Sequence, residues 1–189
     1  DLNLLRNTDV NFNINGVFYT RKTDGNGVAR MNINLNPQTY VITAKNPVTG
    51  EQYTNTITVL TNIIEHNDLT KYYKNDSQYR IRILADDGSI ADAGVKVTFN
   101  INGVFYDRYS DANGYVQMRI NLNPGDYIIT ADYNGLKASN NIKVLNILFG
   151  NDVNMEYKDG SKYTLKLLDG HGNPYSGQTV DLNINGVFY

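Results

Sequence analysis

Three turns rich in oxygen donors are the first places in this chain where chemistry could occur. They are Asp24-Gly25-Asn26-Gly27, Asp111-Ala112-Asn113-Gly114 and Asp169-Gly170-His171-Gly172-Asn173. Ca²⁺ takes about six to eight oxygen ligands, and these turns resemble the opening of a calcium-binding loop. None continues to the bidentate Glu that closes an EF-hand, so we interpret them as turns whose Asp and Asn side chains bond their own backbone. A structural Ca²⁺ shared between domains is the alternative, and no other cofactor is expected.

A second candidate is an intramolecular isopeptide bond, which needs a lysine amine, an Asn or Asp acceptor and a nearby acid. The residues that could supply these groups are Lys71 and Lys74, Asn140 and Asn141, and Asp132. Lys71 corresponds to Met155 in the next copy of an internal repeat, and Asp132 corresponds to Lys45 or Asn46 in the preceding copy. A cross-link built on these residues would therefore not recur from repeat to repeat.

The catalytic motifs of common enzyme classes are missing from the sequence. The two histidines, His66 and His171, fall in no metal-ligand spacing, and the chain contains no nucleophile elbow, phosphate loop or zinc-protease motif. It has no cysteine, which excludes thiolate catalysis, cysteine-ligated metals and disulfides. We therefore expect a protein without enzymatic activity.

One motif predicts a covalent modification. Asn75-Asp76-Ser77 is the only Asn-x-Ser/Thr sequon in the chain. A glycan could be attached to Asn75 if the protein is exported, and an unmodified polar turn is the alternative.

Composition and charge favour an all-β protein and give no sign of a nucleic-acid or membrane partner. Lys and Arg number 17 against 19 Asp and Glu, and the two signs are interspersed along the chain. There is no basic stripe of the kind that binds nucleic acid, and no apolar run approaches the ~18 residues of a membrane-spanning helix. Fifteen tyrosines, with frequent Val, Ile and Thr, fit β-strands.

The elements that would position all these residues follow from an internal repeat. The heptapeptide Asn-Ile-Asn-Gly-Val-Phe-Tyr occurs at Asn13–Tyr19, Asn100–Tyr106 and Asn183–Tyr189. Each copy places Asn-Gly between two strand-like runs, the strongest short-range signal for a β-hairpin with a type I′ turn. The period of about 84 residues is that of one small β domain, and it exceeds the length of a solenoid repeat.

Only the middle repeat contains a full set of predicted strands. Alternating apolar residues and turn signals predict strands at residues 78–84, 95–101, 104–108, 115–121, 126–133 and 136–145. The apolar positions of the first two are expected to enter the core: Tyr79, Ile81, Ile83, Val95, Val97, Phe99 and Ile101. Short strands with a turn about every 8–12 residues are typical of an antiparallel, immunoglobulin-like β-sandwich. We expect mostly local hairpins, with about one connection between the sheets.

This alignment divides the chain into one complete repeat and two partial ones. We predict a repeat without its first strand at residues 1–61, a complete repeat at residues 62–146 and the opening strands of a third at residues 147–189. Two explanations are open: truncation of a long tandem array, or completion of the N-terminal repeat of one chain by the C-terminal strands of another. The residues exchanged in the second case would be Tyr163, Leu165, Leu167, Val180, Leu182 and Ile184.

The two linkers, residues 61–68 and 146–152, are short and carry apolar side chains. These side chains are Ile63, Ile64, Ile147, Leu148 and Phe149. Such segments are not flexible Gly/Ser tethers, so we expect them to pack between neighbouring domains and to stiffen the array.

The repeat as a whole resembles a known family. Its pattern includes Tyr-x-Ile-Arg-Ile-Leu-x-Asp-x-Gly from Tyr79, Val-x-Phe-Asn-Ile-Asn-Gly-Val-Phe-Tyr from Val97, and Ile-Asn-Leu-Asn-Pro-Gly-Asp-Tyr-Ile-Ile-Thr-Ala from Ile120. These motifs resemble the tandem Ig-like repeats of adhesin-like surface proteins of methanogenic archaea, over essentially the whole chain. The resemblance implies export and display at the cell surface, and it implies no catalytic residues. The missing strand before Val10 departs from the pattern.

Two non-enzymatic functions are consistent with this sequence. The first is a structural module, a stalk or extracellular fibre of stacked β domains, in which the partners are copies of the same chain joined end to end. The alternative is an adhesion module whose tyrosine-rich surface binds a glycan or protein of a partner cell, since exposed tyrosine gives a large contact area with a polar group. Both functions would be carried out outside the cell.

Overall fold

A computed structural model describes residues 4–189, and every regular element in that range is a β-strand. The chain divides into a first unit that ends at Thr61 and a second unit that comprises Asn62–Tyr189. Residues 1–3 of the predicted first repeat lie outside the described residues. The prediction of an all-β fold made of antiparallel sheets is confirmed.

The first unit is a single antiparallel sheet of four strands. In chain order these are β1 (Asp9–Ile14), β2 (Val17–Lys22), β3 (Gln38–Lys45) and β4 (Gln52–Val59). They lie in the order β2-β1-β3-β4. The first heptapeptide forms the β1–β2 hairpin, in which Asn15 and Gly16 have φ values of 49° and 82°. These are the positive angles that a type I′ turn requires, so the hairpin prediction is confirmed.

The second unit begins with a two-sheet sandwich of eight strands. These are β5 (Ile63–Ile64), β6 (Leu69–Tyr72), β7 (Gln78–Ile83), β8 (Lys96–Ile101), β9 (Val104–Tyr109), β10 (Tyr115–Arg119), β11 (Gly125–Tyr133) and β12 (Leu136–Leu145). One sheet has the order β6-β12-β11-β8-β9, and the other has the order β10-β7-β5. Only the β6–β12 pair is parallel. Two small hairpin-like pairs follow, β13 (Leu148–Gly150) with β14 (Leu165–Leu167) and β15 (Asn183–Ile184) with β16 (Val187–Phe188).

The expected pattern of mostly local hairpins is wrong. Among the strands from β5 to β12, only β8–β9 and β11–β12 are hairpins of adjacent strands. At each of the remaining connections the chain passes from one sheet to the other. The physical reason is that each sheet has one apolar face to bury. Consecutive strands on opposite sheets bury their apolar faces against each other, which a single local meander cannot do.

The core of the sandwich lies where the two-residue alternation predicts it. Tyr79, Ile81 and Ile83 on β7 face Val97 and Phe99 on β8, and the exposed fraction of each of these side chains is at most 1%. The rings of Tyr79 and Phe99 meet edge to face, with centroids 5.6 Å apart and an interplanar angle of 81°. Aromatic pairs favour this geometry because the edge of one ring is positive and the face of the other is negative.

The expectation that the linker side chains pack between domains is wrong for Ile63. This residue is fully buried in the sandwich core and lies opposite Ile83 in the pairing of β5 with β7. Leu148 and Phe149 likewise form β13, which pairs with β14. These apolar residues therefore open the next repeat, because each one supplies the edge strand of a new sheet.

A tyrosine at the start of the same strand ties down the preceding loop in both units. The hydroxyl of Tyr127 on β11 donates to the carbonyl of Asn123 at 2.8 Å, and that of Tyr40 on β3 donates to Asn36 at 2.8 Å. Immunoglobulin-like sandwiches carry this tyrosine corner at the equivalent strand. Its presence in both units supports the repeat alignment and the Ig-like class.

The partial repeats have less complete cores than the sandwich. Ile42 of the first unit is half-buried, whereas its counterpart Ile129 is fully buried. Residues 28–32 match β10 in sequence position but form no strand, and among residues 4–61 no strand corresponds to β7. In the last segment Tyr163 is 53% exposed, against 1% for its counterpart Tyr79. Each partial repeat thus exposes to solvent apolar surface that the complete repeat buries.

The two phenylalanines of the middle heptapeptide region should differ sharply in their effect on stability. Phe99→Ala empties a fully buried site and should lower the free energy of unfolding by about 3–5 kcal/mol. Phe105 is 70% exposed on β9, so Phe105→Ala should change the free energy of unfolding by less than about 0.5 kcal/mol. Urea unfolding of the full chain measures both values. Equal effects of the two substitutions would contradict the orientation of this hairpin.

Candidate functional site

The Asp-containing turns use their carboxylates to bond their own backbone. Asp111 Oδ1 accepts the backbone N–H groups of Asn113 at 2.8 Å and Tyr115 at 3.0 Å. Asp24 and Asp169 make the same pair of bonds in their own turns. Within residues 4–189, no three His, Cys, Asp or Glu side chains come together as a metal-binding group. The arrangement is that of turn chemistry.

Lys71 is a buried cation that connects three segments. Its side chain is nearly inaccessible, and its Nζ donates to the carbonyls of Asn75, of Ser77 at 3.1 Å and of Ile120 at 3.0 Å. Burial lowers the pKa of the Lys71 ammonium, because an apolar environment disfavours the charged form. Lys71 thereby holds the β6–β7 turn against the segment that follows β10.

Asn140 and Asn141 belong to a different polar cluster. The carboxylate of Asp68 accepts the Asn141 backbone N–H at 2.8 Å, the Asn141 amide at 3.1 Å and the Asn140 amide at 3.2 Å. These bonds lower the pKa of Asp68, with the Asn141 backbone bond as the largest cause. Asn140 Oδ1 accepts the Tyr79 hydroxyl at 2.7 Å, and His66 Nδ1 lies 3.0 Å from the same oxygen.

The groups predicted for an isopeptide bond therefore have separate partners. The Lys71 amine contacts backbone carbonyls, whereas the Asn140 amide contacts Asp68. The Lys74 ammonium lies 5.1 Å from the ring centroid of Tyr73, and Asp132 pairs with Lys137 across the β11–β12 hairpin. Sequence reasoning missed Asp68, because the parallel pairing of β6 with β12 that brings it beside Asn141 leaves no local signal in the residues.

The turn after β6 meets the turn after β14, which belongs to the next repeat. Asn75 Nδ2 donates to the carbonyl of Gly170 at 2.7 Å. The Tyr72 ring lies over Gly172, where a Cβ atom would come within 2.7 Å of the Tyr72 Cζ. Glycine at position 172 has a φ of 84° and leaves room for the ring. We call this contact between residues 72–75 and 169–172 the inter-repeat junction.

The predicted glycosylation residue lies in the inter-repeat junction. The side-chain nitrogen of Asn75, which a glycan would occupy, is the donor to Gly170, and its oxygen accepts the Ser77 backbone N–H at 2.8 Å. Glycosylation therefore stays a prediction, and a glycan at Asn75 would share this nitrogen with the junction.

The tyrosines of the complete repeat serve mainly its interior and its turns. Tyr109 is 61% exposed, whereas the other seven tyrosines of the repeat are buried or half-buried. Tyr115 is covered by arginines: the guanidinium carbon of Arg80 lies 4.2 Å from the ring centroid, and that of Arg82 lies at 5.0 Å. Within the complete repeat, few tyrosine rings are therefore exposed to form the predicted binding surface.

The predicted strand-exchange residues lie in the last segment of the chain. Leu165 and Leu167 are half-buried in β14, and Ile184 in β15 is 61% exposed. Val180 and Leu182 are half-buried and lie outside the strands. Within the part of the chain that the structure describes, no helix is both long enough and apolar enough to cross a membrane.

Comparison with solved structures finds proteins of low similarity to this chain. SGBP-B of the Bacteroides ovatus mixed-linkage glucan utilization locus, in complex with a mixed-linkage heptasaccharide, is 14% identical over 79% of this chain, with a TM-score of 0.31. Domains 4–9 of the surface layer protein SbsC are 13% identical over 97% of this chain, with a TM-score of 0.32. A chimeric titin Z1Z2-Z1Z2 tandem is 13% identical over 74% of this chain, with a TM-score of 0.29.

These likenesses are too weak to carry an argument about function. The chain covers 43% of the glucan-locus protein and 34% of the SbsC fragment, less than two thirds of either length, and 84% of the titin tandem. No family model and no curated protein sequence matches the chain. The resemblance to methanogen adhesin-like repeats therefore stays a prediction.

The Asp68 cluster should make stability fall in acid. A carboxylate whose pKa is lowered by folding stabilises the protein above its unfolded pKa of about 3.9, and this contribution disappears as the pH falls through the folded value. Asp68→Asn should therefore melt below the wild type at neutral pH, and the gap should narrow below about pH 4. The difference between the two melting temperatures, measured over a range of pH, tests this expectation.

Asp126→Asn is the matched control for this titration. It removes an exposed carboxylate that lies 3.9 Å from Lys143, and it should change the melting temperature little. An Asp68→Asn profile parallel to the wild type would contradict the role of the Asp68 cluster.

Proposed function

We propose that this chain is a non-enzymatic structural module of the cell surface, whose β-sandwich repeats stack into a stalk or extracellular fibre. The observation that carries this proposal is the inter-repeat junction, in which Asn75 and Tyr72 contact the turn of the following repeat. A junction with a directed hydrogen bond and a packed ring restricts how two repeats can rotate about their linker.

The connection between these repeats supports the same function. Strand β12 ends at Leu145 and β13 begins at Leu148, so little free chain separates them. The β6–β7 turn, which forms one half of the junction, is itself held in place because Lys71 donates to the carbonyls of Asn75 and Ser77. A short linker and a braced contact turn favour a stiff array, since flexibility between domains requires free chain.

A pair of glycine substitutions tests the inter-repeat junction. Gly172→Ala would introduce a Cβ against the Tyr72 ring, whereas Gly88→Ala at the equivalent turn of the preceding repeat would meet nothing within 4 Å. The two glycines have φ values of 84° and 83°, so the intrinsic backbone strain of alanine is matched. Gly172→Ala should raise the rate of amide hydrogen exchange in residues 72–77 and in residues 169–173. This increase should exceed the one that Gly88→Ala causes in its own turn. Unchanged exchange in residues 72–77 would contradict a structural junction.

We further propose that chains assemble head to tail by strand complementation. In the complete repeat β7 pairs with β10, and residue pairs such as Arg80 and Gln117 lie directly opposite each other. The first unit has the β10 counterpart at residues 28–32 without a strand partner among residues 4–61. Residues 162–167, the β7 counterpart, have apolar side chains that are exposed or half-buried. If two chains paired in the same register as β7 and β10, Thr164 of one chain would lie opposite Arg30 of the other.

Single-cysteine variants test this register, because the natural chain has no cysteine. The bond from Ile83 N to Gly114 O makes the Arg80–Gln117 position a non-hydrogen-bonded pair. Such pairs have Cα atoms about 4.5 Å apart, within disulfide range. Mixed Arg30→Cys and Thr164→Cys chains should form a disulfide dimer on mild oxidation.

Lys22→Cys is the control partner for Thr164→Cys. Lys22 is exposed and lies on β2. Strands β2 and β4 are the two opposite edges of the first-unit sheet. Dimers that form equally with Lys22→Cys, or no dimer with Arg30→Cys, would contradict strand complementation. The stacked-array function would survive that result, because the inter-repeat junction is tested separately.

A further inference from the structure

The same cleft occurs in both units at the open edge of the fold. In the complete repeat it has a volume of about 470 Å³, and its lining includes Ile101, Tyr106, Arg108, Met118, Arg119 and Asn121. In the first unit it has a volume of about 340 Å³, and its lining includes Ile14, Tyr19, Arg21, Met31, Asn32 and Asn34. Both volumes fall within the ~300–1,000 Å³ of small-molecule sites.

The two clefts are lined by equivalent residues. Each residue in the first set matches the residue in the second set at the same place in the repeat, and only Asn32 and Arg119 differ in type. The first unit forms the cleft although no counterpart of β7 packs against it among residues 4–61. The cleft is therefore a property of the heptapeptide hairpin and the segment before the tyrosine corner.

Strand alternation places Tyr106 and Arg108 on the side of β9 that faces the cleft. Tyr106 and Arg108 alternate on β9 with Asp107, whose carboxylate turns to the outer face and accepts the Thr98 hydroxyl at 2.7 Å. Tyr and Arg are retained at positions 19 and 21, whereas the intervening Asp107 corresponds to Thr20. Arg108 is half-buried and Arg21 is exposed. An arginine that is retained in both repeats beside a changed neighbour favours a specific role for the guanidinium.

The arginine is held in the same way in both units. Arg108 Nη1 donates to the carbonyl of Asp107 at 2.7 Å, and Arg21 Nη1 donates to the carbonyl of Thr20 at 2.8 Å. The Arg108 guanidinium carbon lies 5.6 Å from the ring centroid of Tyr106. Each bond uses one N–H of a five-donor fork, so the other donors are free to meet a ligand at the cleft.

The cleft combines a cation, an aromatic ring and an apolar floor. Ile101 and Met118 are each 3% exposed and form the floor, and half-buried Tyr106 forms a wall. Arg119 adds a second positive charge in the complete repeat, and none of the lining residues of either cleft carries a carboxylate. Arginine pairs with carboxylates in a two-bond fork. The chemistry therefore suits a carboxylate attached to a body with an apolar face.

We propose that each cleft binds one acidic sugar residue, a hexuronate, of a polysaccharide. The carboxylate would pair with Arg108 or Arg21, and the apolar face of the pyranose ring would lie on Tyr106 or Tyr19. A polysaccharide is favoured because the site recurs on one chain. A polymer of identical acidic units can engage several equal sites, and linked weak sites gain avidity. This binding role goes beyond the structural function and does not depend on the inter-repeat junction.

Titration of the full chain with oligogalacturonate tests this site. Wild-type protein should bind it saturably, should bind a neutral oligosaccharide of equal length much more weakly, and should lose affinity as salt rises. Arg108→Gln and Arg21→Gln should each weaken binding by about tenfold, the effect of losing a charge-assisted pair, and the double variant should abolish it.

Arg80→Gln is the matched control, because it removes the same charge from a residue that lies on Tyr115 and does not line the cleft. It should leave affinity within about twofold of wild type. Arg108→Lys keeps the charge without the fork and should give intermediate affinity, which separates recognition from a folding defect. Absence of wild-type binding, equal weakening by Arg80→Gln, or equal arginine-dependent binding of oligoglutamate would overturn the proposal.

Discussion

The pairing of β7 with β10 is the constraint on which the rest of this structure depends. It closes a second sheet over the five-stranded one, and it places Tyr79, Ile81 and Ile83 against Phe99 in a core from which water is excluded. Residues 28–32 show what happens without it: the same position in the first unit has no strand partner among residues 4–61 and is irregular. An isolated sheet face cannot bury its apolar side chains, so strand and core form together.

Polar side chains in this molecule mostly position backbone. Asp carboxylates bond the N–H groups of their own turns, the tyrosine corner ties the loop before β11, and Lys71 donates to three carbonyls, of which that of Ile120 is buried. Because these groups are occupied, residues that resemble calcium ligands or cross-linking partners in the sequence are engaged elsewhere. The exception is the arginine of the cleft, whose position is retained from one repeat to the next.

The inter-repeat junction and the proposed ligand cleft lie on different surfaces of the repeat. The inter-repeat junction lies at the turns after β6 and β14, whereas the cleft lies along β9 and β10. A repeat could therefore take part in the proposed array and also present the proposed recognition site.

The sequence by itself determined the class of fold, the six predicted strands of the complete repeat and the Asn-Gly hairpins. Asn-Gly turns and two-residue alternation are local signals, so the β-hairpin of each heptapeptide and the inward face of β7 follow directly from the residues. Tertiary structure alone decided which sheet each strand joins, the burial of Ile63 in the core and the different hydrogen-bond partners of Lys71 and Asn140. The cleft was also beyond the sequence, because its walls come from β9 and β10, which lie on different sheets. Such contacts depend on how two sheets pack, and no periodicity within one strand records the identity of its neighbour on the other sheet.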